Sequence, residues 1–510
     1  MKKTILLILI VFGINHAFLG QIPKEREKQI IALVKESDKL IKEKPVEVKE
    51  NISRLLSYVP SPELVKTVLN LMQENSSTKE LKALLNDFSK GEITVEETEE
   101  EELEPKTYVL TNVNLIDGTS SKPKRNSTIV FKGTQITDIY KGNAKELDKD
   151  AVVIDLKGKY IMPGLIDSHV HYATDPSFET YESVKKRFRK ELGTGILGIR
   201  DMGGDGRALA YYKRQLLANQ ILGPDLNFSS ILAGPDFFTD SRVIAGSVGI
   251  ELGTGSWAHK VTKETDLTSL MQRVKGIGST AVKLYYDIDG KLAKKITDAA
   301  KKAGLKVWAH WAIRPSDAKQ TSKAGVQVVS HAQIFGRLPE GETNESALKK
   351  YGEKELWEIM KKNGTILEPT FAVYNYMNEK SISDMADLLT KKALKAGIRV
   401  AAGSDVPGDD KLPGGHIEYR LLKERADMTP FQILKSATLI NAEVAGFENE
   451  LGKIIARKPA SFLVYEQNPL KDITFWAEPL YVVKKGTIYS GAELRDENST
   501  VTPLFTSNKK

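Results

Sequence analysis

The chain has 510 residues, which exceeds one ordinary domain and predicts two or three folded units. Apolar residues make up 41% and charged residues 28% of the chain, close to the averages of globular proteins, so wholesale disorder is excluded. The net charge of +7 is a weak bias over so large a surface, and the chain lacks an arginine-rich block interleaved with aromatic residues. Both features argue against a nucleic-acid partner.

The N-terminus has the pattern of a secretory signal. Lys2 and Lys3 precede an apolar stretch over 5–14, which is too short to span roughly 30 Å of membrane hydrocarbon as a stable helix. We therefore predict a signal peptide over 1–20, cleaved after Gly20, and an exported protein that is periplasmic or extracellular and keeps no stable membrane anchor. The alternative is a buried N-terminal strand.

The sequence contains no cysteine. This excludes a disulfide framework, thiolate metal ligands and a lipid-modified N-terminal cysteine. Any transition metal must therefore be held by His, Asp, Glu or a modified side chain.

Residues 21–90 carry apolar sets with helical spacing and predict a helical extension of at least three short helices. Ser77 and Glu80 form a capping box before the last set. The sets are Ile30, Leu33, Val34 and Ile41; Val65, Val68, Leu69 and Met72; and Leu81, Leu84, Leu85 and Phe88. Over 91–105 this pattern stops and four glutamates stand at 99–102, which predicts a solvated acidic linker, with an acidic docking tail as the alternative.

Strand-like segments flank the middle of the chain. Segments 108–116 and 128–139, with a turn at Asp117 and Gly118, predict the first part of a β-sandwich over 106–160. Segments 462–465 and 480–489, with a turn at Lys485 and Gly486, predict its second part over 446–495. We expect the two parts to complete one another.

Between these parts, short apolar runs alternate with helical stretches, which is typical of a parallel sheet. Eight candidate strands lie at 161–167, 197–202, 227–234, 280–286, 306–310, 326–331, 365–369 and 399–405. Eight strands close a (β/α)8 TIM barrel, predicted here over 161–445. The chemistry of such a barrel lies at the C-terminal ends of its strands.

Residues of metal-binding type stand at several of these ends. His169 and His171 close the first strand, and the two-residue period of a strand places both imidazoles on one face. His310 ends the fifth strand, His331 the sixth and Asp405 the eighth. Each histidine alone also fits a packed core or surface position, but imidazole is the commonest metal ligand and all five groups are predicted to meet at one rim. The pattern therefore predicts a metal site.

The segment Met-Pro-Gly-Leu-Ile-Asp-Ser-His-Val-His at 162–171, with Gly-Ser-Asp at 403–405, resembles the amidohydrolase superfamily. The resemblance covers 108–491 and points to the branch that holds imidazolonepropionase-related enzymes and metal-dependent, prolidase-like dipeptidases. It implies an α/β fold, a TIM barrel with a flanking β-sandwich, to which this chain adds the N-terminal helical extension.

The resemblance also implies two divalent metal ions, which we expect to be zinc. His169, His171 and Asp405 would hold the more buried ion, and His310 and His331 the other. Asp405 would also act as the catalytic base, because a carboxylate beside an activated water can bind the ion and accept the proton.

Lys283, in the fourth candidate strand, resembles the lysine that binuclear members convert with CO₂ into a carbamate. An ammonium group has three donors and no acceptor, whereas a carbamate is an anionic two-oxygen bridge between cations. The alternatives for Lys283 are a surface lysine and a cation that binds substrate.

These features predict a hydrolase that cleaves the C–N bond of a small amide or dipeptide with a metal-bound hydroxide. Tyr285 shares the parity of Lys283 and is a candidate substrate contact, with a packed aromatic residue as the alternative. Arg200, at the end of the second strand, could pair with a substrate carboxylate, although a structural ion pair fits it better. His416 is assigned to anchoring a loop and not to a metal.

One departure from the superfamily concerns the third strand. Many relatives carry a substrate-contacting histidine directly after this strand. Here the first histidine after the third strand is His259, so the sequence does not identify the leaving group of the substrate. Two other functions are alternatives. One is a barrel scaffold that acts as a binding protein through 21–105, and the other is a mononuclear deaminase, which Lys283 disfavours.

Overall fold

The computed structural model describes residues 24–57, 62–90, 105–143, 149–174, 179–247, 249–255, 257–335, 338–378, 380–409 and 411–505. The predicted signal peptide and nearly all of the predicted linker lie outside these residues. The chain divides into two compact units, Met1–Glu104 and Pro105–Lys510. Among the helices of the described ranges, none has the length and apolar character needed to cross a membrane.

The described part of the first unit is helical. Its helices are α1 (Lys24–Leu40), α2 (Pro45–Ser57), α3 (Pro62–Asn75) and α4 (Lys79–Lys90). The apolar faces expected from the sequence form its core, in which Ile30, Val34, Met72 and Leu81 are fully buried. The helices are therefore held by the burial of amphipathic faces, as expected for short helices that would be marginal alone.

The second unit alternates strands and helices. Its strands are β1 (Thr107–Leu115), β2 (Lys124–Lys132), β3 (Gln135–Lys141), β4 (Val152–Asp155), β5 (Tyr160–Pro163), β6 (Leu165–Val170), β7 (Ile196–Asp201), β8 (Asp225–Ala233), β9 (Ala258–Lys260), β10 (Ala281–Leu284), β11 (Lys306–His310), β12 (Val328–Ser330), β13 (Ile366–Glu368), β14 (Phe462–Tyr465), β15 (Tyr481–Lys484) and β16 (Thr487–Ser490).

Its helices are α5 (Tyr181–Gly193), α6 (Gly206–Leu217), α7 (Ser241–Gly246), α8 (Leu267–Gly276), α9 (Gly290–Lys302), α10 (Ala318–Lys323), α11 (Asn344–Tyr351), α12 (Glu353–Asn363), α13 (Phe371–Met377), α14 (Lys380–Lys395), α15 (Gly414–Ala426), α16 (Pro430–Lys435), α17 (Asn441–Ala445) and α18 (Gly491–Arg495). Asp or Thr side chains cap the N-termini of many of them, as Asp289 does for α9. Such caps satisfy backbone N–H groups that the first turn leaves without partners.

Strands from both ends of the second unit join one sheet in the order β16-β15-β14-β5-β1-β2-β3, with β4 beside β1. The expected link between the two flanking regions is thus present through the antiparallel pair β14 and β5. Within the described residues, one hydrogen-bonded sheet thus contains strands from both predicted parts of the β-sandwich. The segment 128–139 is a hairpin and not one strand, because the chain turns at Gly133, whose φ is 59°.

The second sheet is parallel, with the order β13-β12-β11-β10-β8-β7-β6 and the short β9 beside β8. It curls into a partial barrel. The prediction of a regular eighth strand over 399–405 is wrong in the described structure, where this segment has only an isolated bridge from Val400 to Leu367. Hydrogen bonds still join it to β13 and to β6, the latter from the Asp405 amide to the His169 carbonyl at 2.8 Å.

The prediction of one continuous barrel strand over 161–167 is also wrong. It divides between the two sheets, because β5 belongs to the flanking sheet and β6 begins the barrel sheet. Gly164 lies at the division, where a side chain would overlap Leu197, with its Cβ 2.8 Å from the Cβ of Leu197. The chain passes from one sheet to the other at a position that only a residue without a side chain fits.

Candidate metal centre

The structure places all of the predicted metal positions at the C-terminal end of the parallel sheet. They lie in or directly after β6, β10, β11 and β12 and at the end of the 399–405 segment. These positions are His169, His171, Lys283, His310, His331 and Asp405. Because neighbouring parallel strands end at the same edge, side chains distant in the sequence meet in one buried cluster.

Asp405 lies at the middle of this cluster. Its Oδ1 is 3.2 Å from Nε2 of His171 and 3.4 Å from Nε2 of His169, and its Oδ2 is 3.8 Å from Nδ1 of His331. Ligand atoms of His169, His331 and Asp405 all lie within 4.8 Å of one another. One carboxylate therefore faces three imidazoles in a space of the size that a bound cation requires.

Lys283 and His310 border the same space. The Lys283 Nζ is 3.2 Å from Nε2 of His169, and the residue is only 1% exposed. The ring of His310 lies 4.6 Å from the ring of His331. A lysine so deeply buried beside an imidazole has no solvent to stabilise its charge.

Burial favours the neutral form of three imidazoles of the cluster. Burial lowers the pKa of His169 and of His310 well below the usual value, and it lowers the pKa of His331 to about 3. Burial also lowers the pKa of His171, but the hydrogen bond with Asp405 and the charge of Asp405 outweigh it and raise this pKa. Burial also lowers the pKa of Lys283, while the Asp405 charge opposes this shift. Burial alone would raise the pKa of Asp405, but His169 and the neighbouring imidazoles hold it well below its usual value.

Glu368, at the end of β13, holds the ring of His169. Its Oε2 lies 2.7 Å from Nδ1 of His169, and it accepts hydrogen bonds from the hydroxyls of Ser168 and Ser330, each at 2.7 Å. The carboxylate accepts the Nδ1 proton, so Nε2 of His169 is left as the ligand atom. Sequence reasoning missed Glu368; the available signal was an acidic residue at the end of an apolar strand.

The other two orienting contacts are neutral. Nδ1 of His171 lies 2.9 Å from the carbonyl oxygen of Gly203. Nδ1 of His331 lies 2.9 Å from Oγ1 of Thr370, whose hydroxyl donates to the Pro369 carbonyl and is left to accept from the ring. In both histidines Nδ1 carries the proton, which leaves Nε2 free to bind a cation.

Two residues of the cluster have strained backbones. His331 has a φ of 70° and Asp405 a φ of 58°, in the left-handed region that side chains disfavour. Such conformations cost on the order of 1–3 kcal/mol each and persist where the surrounding structure enforces them, often at functional sites. The strain at both positions is consistent with a functional role of this cluster.

Arg200 does not join the cluster. It is fully buried, and its guanidinium donates to Ser229, Thr280 and the Ala445 carbonyl. Thr280 precedes β10, at the end of the sheet opposite to Lys283. This position does not fit the tentative role of Arg200 in binding a substrate carboxylate, and its hydrogen-bond partners are neutral groups instead of the acid expected for a structural ion pair.

Tyr285 lies beside the cluster, with its ring 4.0 Å from the ring of His310. His416 is apart from it, buried on α15, where its Nε2 lies 2.9 Å from the Thr194 carbonyl oxygen. His416 thus contacts a loop and none of the predicted metal positions. This agrees with the prediction that it anchors a loop.

A cleft of about 620 Å³ opens onto the cluster. The residues that line it are His171, Thr174, Gly203, Ile231, Asp236, Phe237, Thr239, Asp240, Val243, Trp257, Tyr285 and Tyr286. Most of them come from the stretch between β8 and α8 and from the loop after β10. These segments form the walls of the cleft, along which a small molecule would reach His171.

The donor set fits divalent metal. Imidazoles whose Nδ1 atoms have hydrogen-bond partners of their own, together with a carboxylate whose pKa is lowered, are the kinds of ligand that zinc and similar cations take from proteins. The exposed fraction of the His169 side chain is 0%, and those of His171, His331 and Asp405 lie between 17% and 26%. The cluster is therefore closed on the barrel side and accessible from the cleft.

Solved structures share this fold. A Xaa-Pro dipeptidase with bound methionine aligns with a TM-score of 0.60 and 20% identity, over 76% of this chain and 100% of that one. The A. niger ochratoxinase aligns with a TM-score of 0.60 and 19% identity, over 78% of this chain and 99% of that one.

Sequence comparisons add the family. A dihydroorotase of Caldanaerobacter subterraneus is 37% identical over 78 residues, a match that spans 15% of this chain and only 16% of that enzyme. The family model of the amidohydrolase family matches residues 160–489, more than half of the chain. The protein therefore belongs to the amidohydrolase family and is an enzyme that acts on carbon–nitrogen bonds.

Proposed function

We propose that this protein is an exported, metal-dependent hydrolase that cleaves the amide or peptide bond of a small amide or dipeptide. The observation that carries the proposal is the convergence of His169, His171, His331 and Asp405 with the buried Lys283 in one cluster, of which His171 lines the cleft. Prolidase-like neighbours support it, since the names of similar structures include a Xaa-Pro dipeptidase, ochratoxinase and phenylurea hydrolase B.

The proposed architecture is a (β/α)8 barrel in which 399–405 takes the eighth position. Hydrogen bonds on both of its sides support this. Towards β13, the amide of Leu367 donates to the Arg399 carbonyl at 3.0 Å. Towards β6, the amide of Ser168 donates to the Ala402 carbonyl at 3.3 Å. The segment thus bridges the two edges of the curled sheet although its pairing is too irregular for a strand.

Two divalent ions, expected to be zinc, would be held by these residues. His169, His171 and Asp405 would hold one and His310 and His331 the other, with carboxylated Lys283 between them. Divalent ions bound there would lower the pKa of water to near 7 and polarise a carbonyl group.

Lys283 is suited to carboxylation by CO₂. Burial lowers its pKa and so favours the neutral amine, which has the lone pair needed to form the new N–C bond and then loses one proton. The product carries a negative charge, and it would lie beside the imidazoles of the cluster, whose ions it would bridge. A protonated lysine in this place would instead repel cations.

Asp405 is the proposed proton carrier. Its carboxylate, kept ionised by the neighbouring imidazoles, accepts a proton from the attacking water as the new C–O bond forms. It then donates this proton to the leaving nitrogen as the C–N bond breaks, so the products are a carboxylic acid and an amine. Tyr285, beside His310 at the cleft, is placed to contact the substrate.

The proposal predicts about two divalent ions per chain and hydrolysis that depends on them. The test is elemental analysis of the purified full-length protein, followed by a screen of dipeptides, N-acyl amino acids and lactams before and after chelation. Lys283→Ala should lose one ion and most activity, and short carboxylic acids should restore part of it as surrogate bridging anions.

Lys291→Ala is the matched control, because Lys291 lies exposed on α9 outside the cluster. A single tightly held ion, unchanged by added zinc and bicarbonate, contradicts the two-ion site. Full activity of Lys283→Ala means that Lys283 is only structural.

A further inference from the structure

A row of aromatic rings leads away from the metal centre along one wall of the cleft. The ring of Tyr285 lies 4.0 Å from that of His310, the ring of Phe237 lies 4.8 Å from that of Tyr285, and the ring of Trp257 lies 6.4 Å from that of Phe237. Phe237 and Trp257 are 8% and 5% exposed and pack in their own apolar cluster. A group bound next to the metals would therefore extend along aromatic surface.

The charged groups on this wall are acidic. Asp236 and Asp240 line the same cleft as Phe237 and Trp257, and the described residues that line it include neither lysine nor arginine. Asp236 is exposed, so its carboxylate is accessible from solvent in the cleft. Aromatic faces beside carboxylates attract cations, because both the ring faces and the acids present negative potential.

The wall is fixed to the loop after β10. The carboxylate of Asp287 accepts the amide of Asp236 at 2.9 Å, and the Tyr286 carbonyl accepts the amide of Gly234 at 2.9 Å. A side chain at Gly234 would overlap the Asp287 carbonyl oxygen, with its Cβ 2.6 Å from Cγ of Asp287. Asp236 and Phe237 thus have set positions relative to Tyr285, which immediately follows β10.

We propose that the cleft selects substrates in which the group beyond the scissile amide is apolar or aromatic and carries a positively charged amine. This inference rests on the proposed amide hydrolysis at the metal centre. The apolar part lies along Tyr285, Phe237 and Trp257, and the ammonium lies near Asp236 and Asp240. A substrate with a carboxylate in that place meets the negative charge of the exposed Asp236, and the described residues that line the cleft include neither lysine nor arginine.

The test compares three amides that share one scissile bond in the zinc-loaded, full-length enzyme. They are phenylalanyl-alanine amide, which carries an ammonium next to the scissile carbonyl, N-acetyl-phenylalanyl-alanine amide, which is neutral, and benzylmalonyl-alanine amide, in which a carboxylate replaces that ammonium. We expect kcat/KM to be about 3- to 30-fold higher for the first than for the second, as a partly exposed cation beside rings and acids gains this much. The third should be the poorest substrate.

Variants assign the preference to the acids. Asp236→Asn and Asp240→Asn together should abolish the preference, so that the ratio of kcat/KM for the cationic amide to that for the neutral amide falls to about one. Asparagine keeps the size of each side chain and its ability to cap a helix, so folding is preserved. Glu251→Gln is the control. It removes a negative charge from the same stretch between β8 and α8, at an exposed position outside the cleft, and should leave the preference for the cationic amide unchanged.

Binding provides a readout that does not need turnover. Phenethylammonium ion should bind the enzyme in calorimetry more tightly than 2-phenylethanol, which has the same ring and chain length but no charge, and the double variant should lose the difference. Hydrolysis of the neutral or anionic amide at least as fast as the cationic one overturns the inference and leaves the proposed function intact. If none of the amides is cleaved, the proposed function fails, and equal or reversed binding of the two probes then also overturns the inference.

Discussion

Asp405 combines two roles that one substitution can separate. Asparagine keeps a carbonyl oxygen that can bind a cation, but it cannot accept a proton from water. Asp405→Asn should therefore keep most of its metal and lose a factor of ~10² to 10⁴ in turnover, the usual contribution of a positioned proton acceptor. Metal content and turnover are measured in the same preparation, with Asp409→Asn, an exposed position nearby, as the control. Retained metal with normal turnover shows that Asp405 is a ligand and not the base.

Glu368 acts through His169 and not on the substrate. Its carboxylate accepts three hydrogen bonds, from Ser168, Ser330 and His169. Glu368→Gln replaces one acceptor oxygen with a donor NH₂ group that faces donors, so the ring of His169 loses its fixed orientation. We expect zinc affinity to fall about 10- to 100-fold, which a chelator competition measures.

The milder variant Ser330→Ala removes only one of the three donors and should lose less affinity than Glu368→Gln. Zinc binding by Glu368→Gln that equals that of the unaltered protein shows that Glu368 has no part in positioning His169.

The sequence predicted which side chains converge in the cluster but not what orients them. His169, His171 and Asp405 could be found because few residue types bind metals and because strand period and strand ends follow from the local pattern. The acid at the end of an apolar strand was visible at Glu368, but its role was not, since that role depends on which strands become neighbours. Arg200 shows the same limit: its strand was foreseen, but the end of the sheet that its long side chain reaches is decided by packing.

At the scale of elements, alternation of strands and helices predicted the parallel sheet, and irregular points were missed. The apolar run around Gly164 is continuous, so the local pattern did not predict that the chain passes there from one sheet to the other. The steric need for glycine comes from Leu197, which is distant in sequence. The segment 399–405 has the apolar residues of a strand, yet it ends in the strained Asp405 that the metal cluster requires. Local pattern predicts where a strand can form and tertiary contacts decide how regular it is.

Gly403 shows how tightly this segment packs against the site. A side chain there would overlap Oε1 of Glu368, with its Cβ 2.6 Å from Cβ of His169. Gly403→Ala should lower the free energy of unfolding by about 1–3 kcal/mol, as overpacking does, and should weaken zinc binding. Gly276→Ala is the control, because its added methyl group would meet no atom of another element within 4 Å. Equal thermal unfolding of both variants contradicts the predicted overlap.

Asp38 joins helices in the first unit. Its carboxylate accepts hydrogen bonds from Ser76, Ser77 and Thr78, just before α4. Partial burial alone would raise the pKa of Asp38, but these bonds, led by the Ser77 amide, lower it to about 2. A carboxyl group with a lowered pKa stabilises the fold above its unfolded pKa, and this stabilisation is lost as the pH falls through the folded pKa.

The stabilising effect of Asp38 should therefore be full above about pH 4 and disappear towards pH 2. Asp38→Asn should destabilise α4 by about 1 kcal/mol at pH 7, since a partly exposed carboxylate is screened by water. Hydrogen exchange of peptides from 76–90 measures this in the full-length chain, with Asp87→Asn on α4 as control. If the exchange rates of Asp38→Asn and of the unaltered chain still differ at pH 2, the stabilisation does not come from the ionised Asp38 carboxylate.

For the whole molecule, each unit has its own apolar core. The core of the first unit contains residues from Ile30 to Phe88 only, and the cores of the second unit begin at Tyr108. His169 is the first of the proposed metal and substrate positions, so all of them lie in the second unit. The boundary between the units, after Glu104, adjoins the end of the acidic stretch from which the sequence predicted a linker. Catalysis and the N-terminal helices thus rest on separate sets of buried side chains.

A protein that begins at Lys106 should therefore fold, bind its metals and hydrolyse the same substrates with unchanged kcat/KM, because truncation removes no residue of the core or the site of the second unit. Circular dichroism, elemental analysis and kinetics on the truncated and full-length proteins test this. Full-length Asp38→Asn is the companion control, since it loosens the first unit without removing it. A truncated protein that folds and keeps its metals but has lost hydrolysis would show that residues 21–105 take part in catalysis. If Asp38→Asn also loses hydrolysis, this contribution to catalysis requires the folded helices of the first unit.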